Sequence, residues 1–283
     1  MNHAVAALIF AAIAFQLPAW GAGPEIRLVP ERVFPGSVLV VQVTGADAGA
    51  GKFMGRAIHF HGTGGAVTAV VGIDLFSAPG THPMDIDLVS SGKKVTETVQ
   101  VSILPKAYPT EKLELPPEKV TLTAADLKRV EKEKEILDAI WSAESPEKFW
   151  SSSFMVPLKG RGGSVFGLRR IINGEPKSPH TGVDIKANEG EPVRATNSGR
   201  VAYAGRQFFS GNSVVLDHGE GFYSMYFHLS KIKVRKGRAV RKGDVIGLVG
   251  MTGRASGPHL HFGFRLQGAR IDPEAVFGLK SID

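Results

Sequence analysis

The chain has 283 residues, 43% of them hydrophobic, and no cysteine. That is enough chain for two buried cores, and it excludes disulfides, thiolate zinc sites and a cysteine-linked lipid anchor. Charge is uneven: residues 1–150 hold 14 Lys+Arg against 17 Asp+Glu, and residues 151–283 hold 20 against 10. A basic C-terminal half suits an anionic polymer of the cell envelope better than nucleic acid, for which no helix-turn-helix, zinc-finger or RNA-binding sheet signature exists.

Residues 1–22 read as a signal peptide. Ala4 to Trp20 is apolar, broken by Gln16 and Pro18, and too short to span a bilayer, while Ala19-Trp20-Gly21 offers small residues for cleavage. The expected address is outside the plasma membrane, in the periplasm or at the cell wall. No membrane anchor is expected, because no other apolar stretch reaches spanning length.

Residues 23–104 read as a β-sandwich of immunoglobulin-like type without its disulfide. Val33 to Val43 alternates around Pro35-Gly36, and Ala66 to Ile73 and Val95 to Ile103 are β-branched runs. Glycine-rich turns at Gly45, Gly62 to Gly65, Ala78 to Gly80 and Ser90 to Gly92 separate them. Residues 105–150 form a proline-rich linker and a helix. Pro105, Pro109, Pro116 and Pro117 keep the first part extended. Thr123 caps the helix with Asp126 as reciprocal partner, and Leu127, Val130, Ile136, Leu137 and Ile140 make its apolar stripe. The helix is expected to end by Ser145-Pro146. If it, or the linker, covers a groove of the domain that follows, that groove is held closed.

Residues 151–283 return to strands and glycine turns. Val193 to Ala195, Gly199 to Ala204, Val214 to Leu216, Tyr223 to Leu229, Val245 to Val249 and Leu260 to Leu266 are the candidates. The chemistry lies here. In a strand, His259 and His261 leave the same face. His180 and Asp184 supply another imidazole and a carboxylate. Two His and one Asp make a three-ligand set with an open position, which suits catalytic zinc, and one histidine of the pair is left free to move protons. His59-Phe60-His61 repeats the spacing in the first half without a neighbouring His-x-x-x-Asp, and is read as structural. His218 is read as a hairpin residue. Gly160-Arg161-Gly162-Gly163 is read as a flexible turn, since no Gly-Lys-Ser/Thr follows. The basic run from Lys231 to Lys242 is read as a solvated hairpin.

Five segments carry a family resemblance: Phe166-Gly167-Leu168-Arg169, His180-Thr181-Gly182-Val183-Asp184, Tyr226-Phe227-His228-Leu229-Ser230, Lys242 to Gly247, and Gly257-Pro258-His259-Leu260-His261-Phe262. Together they resemble lysostaphin/LytM-type zinc metallopeptidases over roughly residues 150–275, in order. The resemblance implies an antiparallel β-sheet groove with the metal on its floor. It implies that His180, Asp184 and His261 bind zinc and that His228 and His259 are the catalytic pair. The implied substrate is the peptide of bacterial peptidoglycan. The expected architecture is thus mainly β: an N-terminal β-sandwich, a short helical linker and a C-terminal antiparallel β-sheet metallopeptidase domain. The insert at 173–178, before His180, is expected to reshape one groove wall. Two rival readings are a non-catalytic envelope protein that binds peptidoglycan and activates another hydrolase, and a polymer-binding module that uses the basic hairpin. A lipoyl-type carrier is disfavoured, because no Lys stands at a suitable hairpin tip.

Overall fold

The structure, a computed structural model, describes residues 23–279 apart from 115–120, 144, 146, 152 and 161. The expected signal peptide lies outside the described residues, as do Pro116, Pro117 and Pro146.

The first half is one eight-stranded sheet folded over on itself. Its strands are β1 (Glu25–Val29), β2 (Arg32–Val33), β3 (Val38–Thr44), β4 (Ala48–Phe53), β5 (Arg56–His61), β6 (Ala66–Gly72), β7 (Gly80–Ser90) and β8 (Lys93–Ile103), in the order β1-β3-β6-β5-β4-β7-β8-β2. β5 makes the corner: its first part pairs with β4, and Phe60 and His61 pair with β6. Alternation then decides which side chains go inside. Leu39, Val41 and Val43 from β3 meet Met84, Ile86 and Leu88 from β7 in one core. Between the latter, Asp85 and Asp87 point outward and accept hydrogen bonds from Thr98 and Thr96 of the neighbouring strand.

A linker strand, β9 (Thr110–Leu113), pairs in parallel with β10 (Arg169–Ile172), whose other edge pairs with β11 (Glu175–Lys177). The linker is thus extended over β9 and zipped onto the second half by backbone hydrogen bonds. Helix α1 (Ala124–Ser142) follows, with the Thr123 Oγ1 accepting from the Asp126 N–H, as an N-cap should.

The second half is built on a seven-stranded, antiparallel sheet. β12 (Val183–Lys186), β20 (His259–Leu266), β16 (Phe222–Leu229), β15 (Gly211–Asp217), β14 (Gly199–Gln207) and β18 (Ala239–Val240) lie in that order, and β21 (Ala269–Ile271) also pairs with β20. A second, three-stranded sheet joins β13 (Pro192–Arg194), β19 (Val245–Leu248) and β17 (Lys231–Ile232), and a short helix α2 (Pro273–Phe277) follows β21. One face of the large sheet carries Leu216, Phe222, Tyr226, Leu260, Phe262 and Phe264 into the main core. The opposite face carries Val215, Tyr223 and Met225, and on these rest Leu137, Ile140 and Trp141 of α1.

That contact revises the expected helix stripe. Its apolar contact is made at the C-terminal end, while Leu127 and Ile136 are 48% and 42% exposed; further up, Arg129 lies over the Phe208 ring and Glu133 accepts from the Phe208 N–H at 2.7 Å. The main anchor is Trp141, edge-on to Tyr223 at 5.2 Å with the Arg265 guanidinium over its other side.

The two halves dock firmly. β6 lies against the β20–β21 hairpin so closely that a Cβ on Gly72 would stand 2.9 Å from the Leu266 carbonyl. Asp74 accepts from the Arg270 backbone at 2.7 Å and pairs with its guanidinium at 3.2 Å. At the other end, the Tyr108 hydroxyl donates to the Pro35 carbonyl. Its ring covers Gly167, where φ is 77° and a Cβ would fall 2.1 Å from the ring. That contact gives the Phe-Gly-Leu-Arg segment a physical reason for its glycine.

Candidate metal centre

β12 pairs with β20 in a register that sets Asp184 directly opposite His261. Both therefore leave the same face of the sheet, the face on which α1 also lies. His180 reaches the same point from the loop before β12. Its backbone is fixed at both ends, with its N–H on the Leu168 carbonyl at 2.9 Å and its carbonyl accepting from the Gly167 N–H at 2.8 Å.

The three side chains converge on one spot. His180 Nε2 and His261 Nδ1 each lie 3.1 Å from Asp184 Oδ1, and they are 2.8 Å from each other. Ligands about 2.0–2.1 Å from a tetrahedral zinc stand about 3.3 Å apart, so this triangle fits such an ion with little adjustment. The donor chemistry agrees. His180 Nδ1 bonds to the Val165 carbonyl at 3.0 Å, which places the proton there and leaves Nε2 as a lone pair. Burial pushes the His261 imidazole down to about 4, against the pull of the Asp184 carboxylate, so its neutral, ligating form is favoured. Burial opposes ionisation of Asp184, yet the two imidazoles of His180 and His261 beside it hold its carboxyl well below the usual carboxylate range.

Two more imidazoles stand beside the triangle. The His228 and His259 rings are 4.7 Å apart, and His259 Nε2 is 3.8 Å from Asp184 Oδ1. Each is oriented by a backbone carbonyl: His228 Nδ1 by Thr252 and His259 Nδ1 by Gly257, both at 2.8 Å. Each therefore presents Nε2 as its free nitrogen. His228 has φ 63°, a conformation an L-residue adopts only when its surroundings impose it. Here the imposed turn carries its ring off the strand's alternation and toward His259. Burial lowers its pKa from the ordinary histidine value.

Several contributors escaped the sequence reading. Phe227 stacks flat on His261, with ring centroids 5.4 Å apart at 4°. A Cβ on Gly182 would stand 2.3 Å from the Phe262 carbonyl, and one on Gly163 2.0 Å from the Asp184 carbonyl. These glycines let two backbone segments lie flush against β20 and β12. Gly162 and Gly163 are thus not in a free turn: the Gly162 carbonyl accepts from the Lys186 N–H at 3.2 Å. The signal available was glycine density next to the His-x-x-x-Asp segment.

The other histidines stay out of the cluster. His218 is fully buried, bonded at 2.7 Å to the Ser198 carbonyl and at 2.7 Å to Ser224 Oγ. His61 sits at the contact between the halves, Nε2 2.5 Å from Glu220 Oε1. The His180–Asp184–His261 group is the one set of three such donors that could share an ion among the described residues.

An antiparallel sheet bearing a two-His, one-carboxylate cluster with two oriented imidazoles beside it defines a metallopeptidase-type domain. The model of peptidase family M23 matches residues 178–273, a span that contains all five of these residues. A crystal structure of a peptidase M23 from Pseudomonas aeruginosa is similar at 33% identity with a TM-score of 0.68, covering 87% of this chain and 95% of that one. The chain belongs to peptidase family M23. Among curated proteins it is similar to DD-carboxypeptidase/endopeptidase Mpg of Neisseria meningitidis, 44% identical over 97 residues, which are 34% of this chain and 22% of that protein. It is also similar to peptidoglycan DD-endopeptidase ShyA of Vibrio cholerae, 38% identical over 120 residues, 42% of this chain and 28% of that protein. The chain thus matches less than a third of the length of these curated relatives.

Proposed function

We propose that the protein is an exported, zinc-dependent endopeptidase that hydrolyses peptide cross-links of bacterial peptidoglycan. The observation that carries this reading is the convergence of His180, Asp184 and His261 beside His228 and His259, inside the span that matches the family. Mpg and ShyA are both named for DD-endopeptidase activity, which directs the choice of bond to D,D cross-links.

His180 Nε2, Asp184 Oδ1 and His261 Nδ1 would hold the ion. Zinc bound there supplies Lewis acidity toward the scissile carbonyl and makes a water acidic near neutral pH. The chain's own residues move the protons. No His-Glu-x-x-His exists to supply a carboxylate base, and imidazole is a sound substitute because its pKa lies near operating pH. His259, whose Nε2 is 3.8 Å from Asp184 Oδ1, accepts the proton from the attacking water. His228 has committed Nδ1–H to Thr252. Its Nε2 can therefore stabilise an oxyanion, or protonate the leaving amine, only after it has gained a proton. The two imidazoles then act in sequence, the proton passing across the site to the amine.

The test is digestion of purified sacculi with the zinc-loaded protein, read by mass spectrometry of the released muropeptides. New amines at D,D cross-links support the proposal. Sacculus binding with no new amines would instead mark a non-catalytic activator.

A further inference from the structure

A cleft of about 790 Å³ opens between the sandwich and the second half, away from the metal triangle. Its volume lies within the range of small-ligand sites. One wall is the β10–β11 hairpin, with Arg169, Arg170 and Lys177; the other is the loop after β6, with Phe76; the floor is the linker, with Lys106 and Tyr108. Four cations line it and no Asp or Glu does. Two of the four are partly engaged: Arg170 lies 3.3 Å from Glu111, and Lys106 lies 3.8 Å from Asp272 and over the Tyr108 ring. Arg169 and Lys177 have no carboxylate partner among the described residues. Phe76 is 58% exposed at the mouth.

The walls are preformed. The β9–β10 ladder ties floor to hairpin, and the Tyr108 ring is locked between Pro35 and Gly167. The cleft also abuts the metal centre in sequence: Pro179 lines it and precedes the ligand residue His180. Uncompensated cations beside an exposed aromatic suit a short oligomer with several carboxylates and apolar faces, since guanidinium groups grip carboxylates bidentately.

We propose that this cleft is a second binding site, distinct from the metal centre, for a carboxylate-bearing peptide stem that is held but not cut. The identity of that stem as peptidoglycan rests on the function proposed above; the existence of the site does not. Holding one stem while a neighbouring cross-link is cleaved raises the effective concentration of the polymer at the ligand triangle.

The test uses the full chain loaded with zinc, as wild type, the charge reversal R169E/K177E, the exposed-aromatic variant F76A, and a distant control K233E/R235E on the basic hairpin. Binding of soluble, uncross-linked tetrapeptide stems is measured by calorimetry, and hydrolysis is measured on intact sacculi and on a short synthetic cross-link peptide. R169E/K177E should weaken stem binding at least tenfold and raise the KM for sacculi by a similar factor. Its kcat, and its KM for the short peptide, should stay unchanged. F76A should show a smaller loss in the same direction, and the control none. The proposal is overturned if R169E/K177E binds stems as wild type does, if the control loses binding equally, or if inorganic phosphate displaces the stems at equal concentration. Should wild type fail to cut sacculi, the peptidoglycanase reading falls, while the calorimetry still decides the cleft. A wild type that binds no stem sinks the cleft alone.

Discussion

His59 and His61 occupy alternate positions of β5, as His259 and His261 do of β20. The strands that flank them differ. Opposite His261 stands Asp184, with His180 arriving from the preceding loop. Opposite His59 stands Ala50, and opposite His61 stands Thr68. The one carboxylate found near His61, Glu220, comes from a turn of the other half. A His-x-His spacing is thus common to both halves, and the neighbouring strand decides what it does. A carboxylate in register makes one member of the pair, His261, a candidate ligand; an alanine and a threonine leave the other pair as packing.

The largest expected effect comes from breaking the C-terminal pair at its ligand. His261→Ala removes one corner of the triangle and leaves the Asp184 charge half-matched. Zinc content, measured by atomic absorption, should fall to background, and hydrolysis of sacculi with it. A variant that retains stoichiometric zinc would show that His261 is no ligand.

Cutting the other member of that pair sharpens the distinction within it. His259→Ala should keep the metal and lower kcat/KM by about 10²- to 10⁴-fold, the usual worth of a positioned acid–base group. Loss of zinc in this variant would move His259 from the proton machinery to the ligand set.

His218 offers a third environment, with no carboxylate at all. Burial pushes its imidazole down to about 4, against the help of the Ser198 carbonyl. Between about pH 4 and the unfolded value near 6.5, the unfolded chain binds a proton that folded His218 refuses. Stability should therefore be complete above about 6.5 and fall as pH drops toward about 4, with a slope from this one group of up to about 1.4 kcal/mol per pH unit. Urea melts across that window should show a steeper decline for wild type than for His218→Gln, though the variant is less stable throughout. Equal slopes would mean that His218 is already protonated when folded.

How much of this was legible follows the same logic. The candidate ligand segments could be picked out because His, Asp and Gly in that order constrain each other locally, and β3, β6, β8, β16 and β20 could be read from alternation or β-branching. β4 could not: Ala-Gly-Ala-Gly-Lys-Phe lacks both signals, and Gly51 is there because β7 passes so near that a Cβ would meet the Asp85 carbonyl at 2.7 Å. β9 is also silent in the sequence, since it is a strand only by pairing with β10 across the linker, and β10 and β11 form a short hairpin with no alternation to read. The cleft they frame was invisible for that reason. β7 shows the opposite failure: Met84, Ile86 and Leu88 alternate with two aspartates, a usable pattern obscured by Pro83.

The smallest effect should come from the N-terminal pair. The His61 side chain is 40% exposed and its contact with Glu220, though 2.5 Å long, lacks hydrogen-bond alignment at Nε2. The Glu220 side chain is only 9% exposed, so desolvation offsets most of what a misaligned pair gains, and the net contribution is within about 1 kcal/mol. His61→Ala should therefore leave zinc content and kcat/KM as in wild type and shift the urea midpoint only slightly. The residual contribution is interfacial, because Val70, Trp150 and Gln267 line the same small gap between the halves. If His61→Ala instead lowered zinc content, the two pairs would be coupled through β6 and the β20–β21 hairpin, and cross-strand partnership alone would no longer explain why only one of them forms a metal centre.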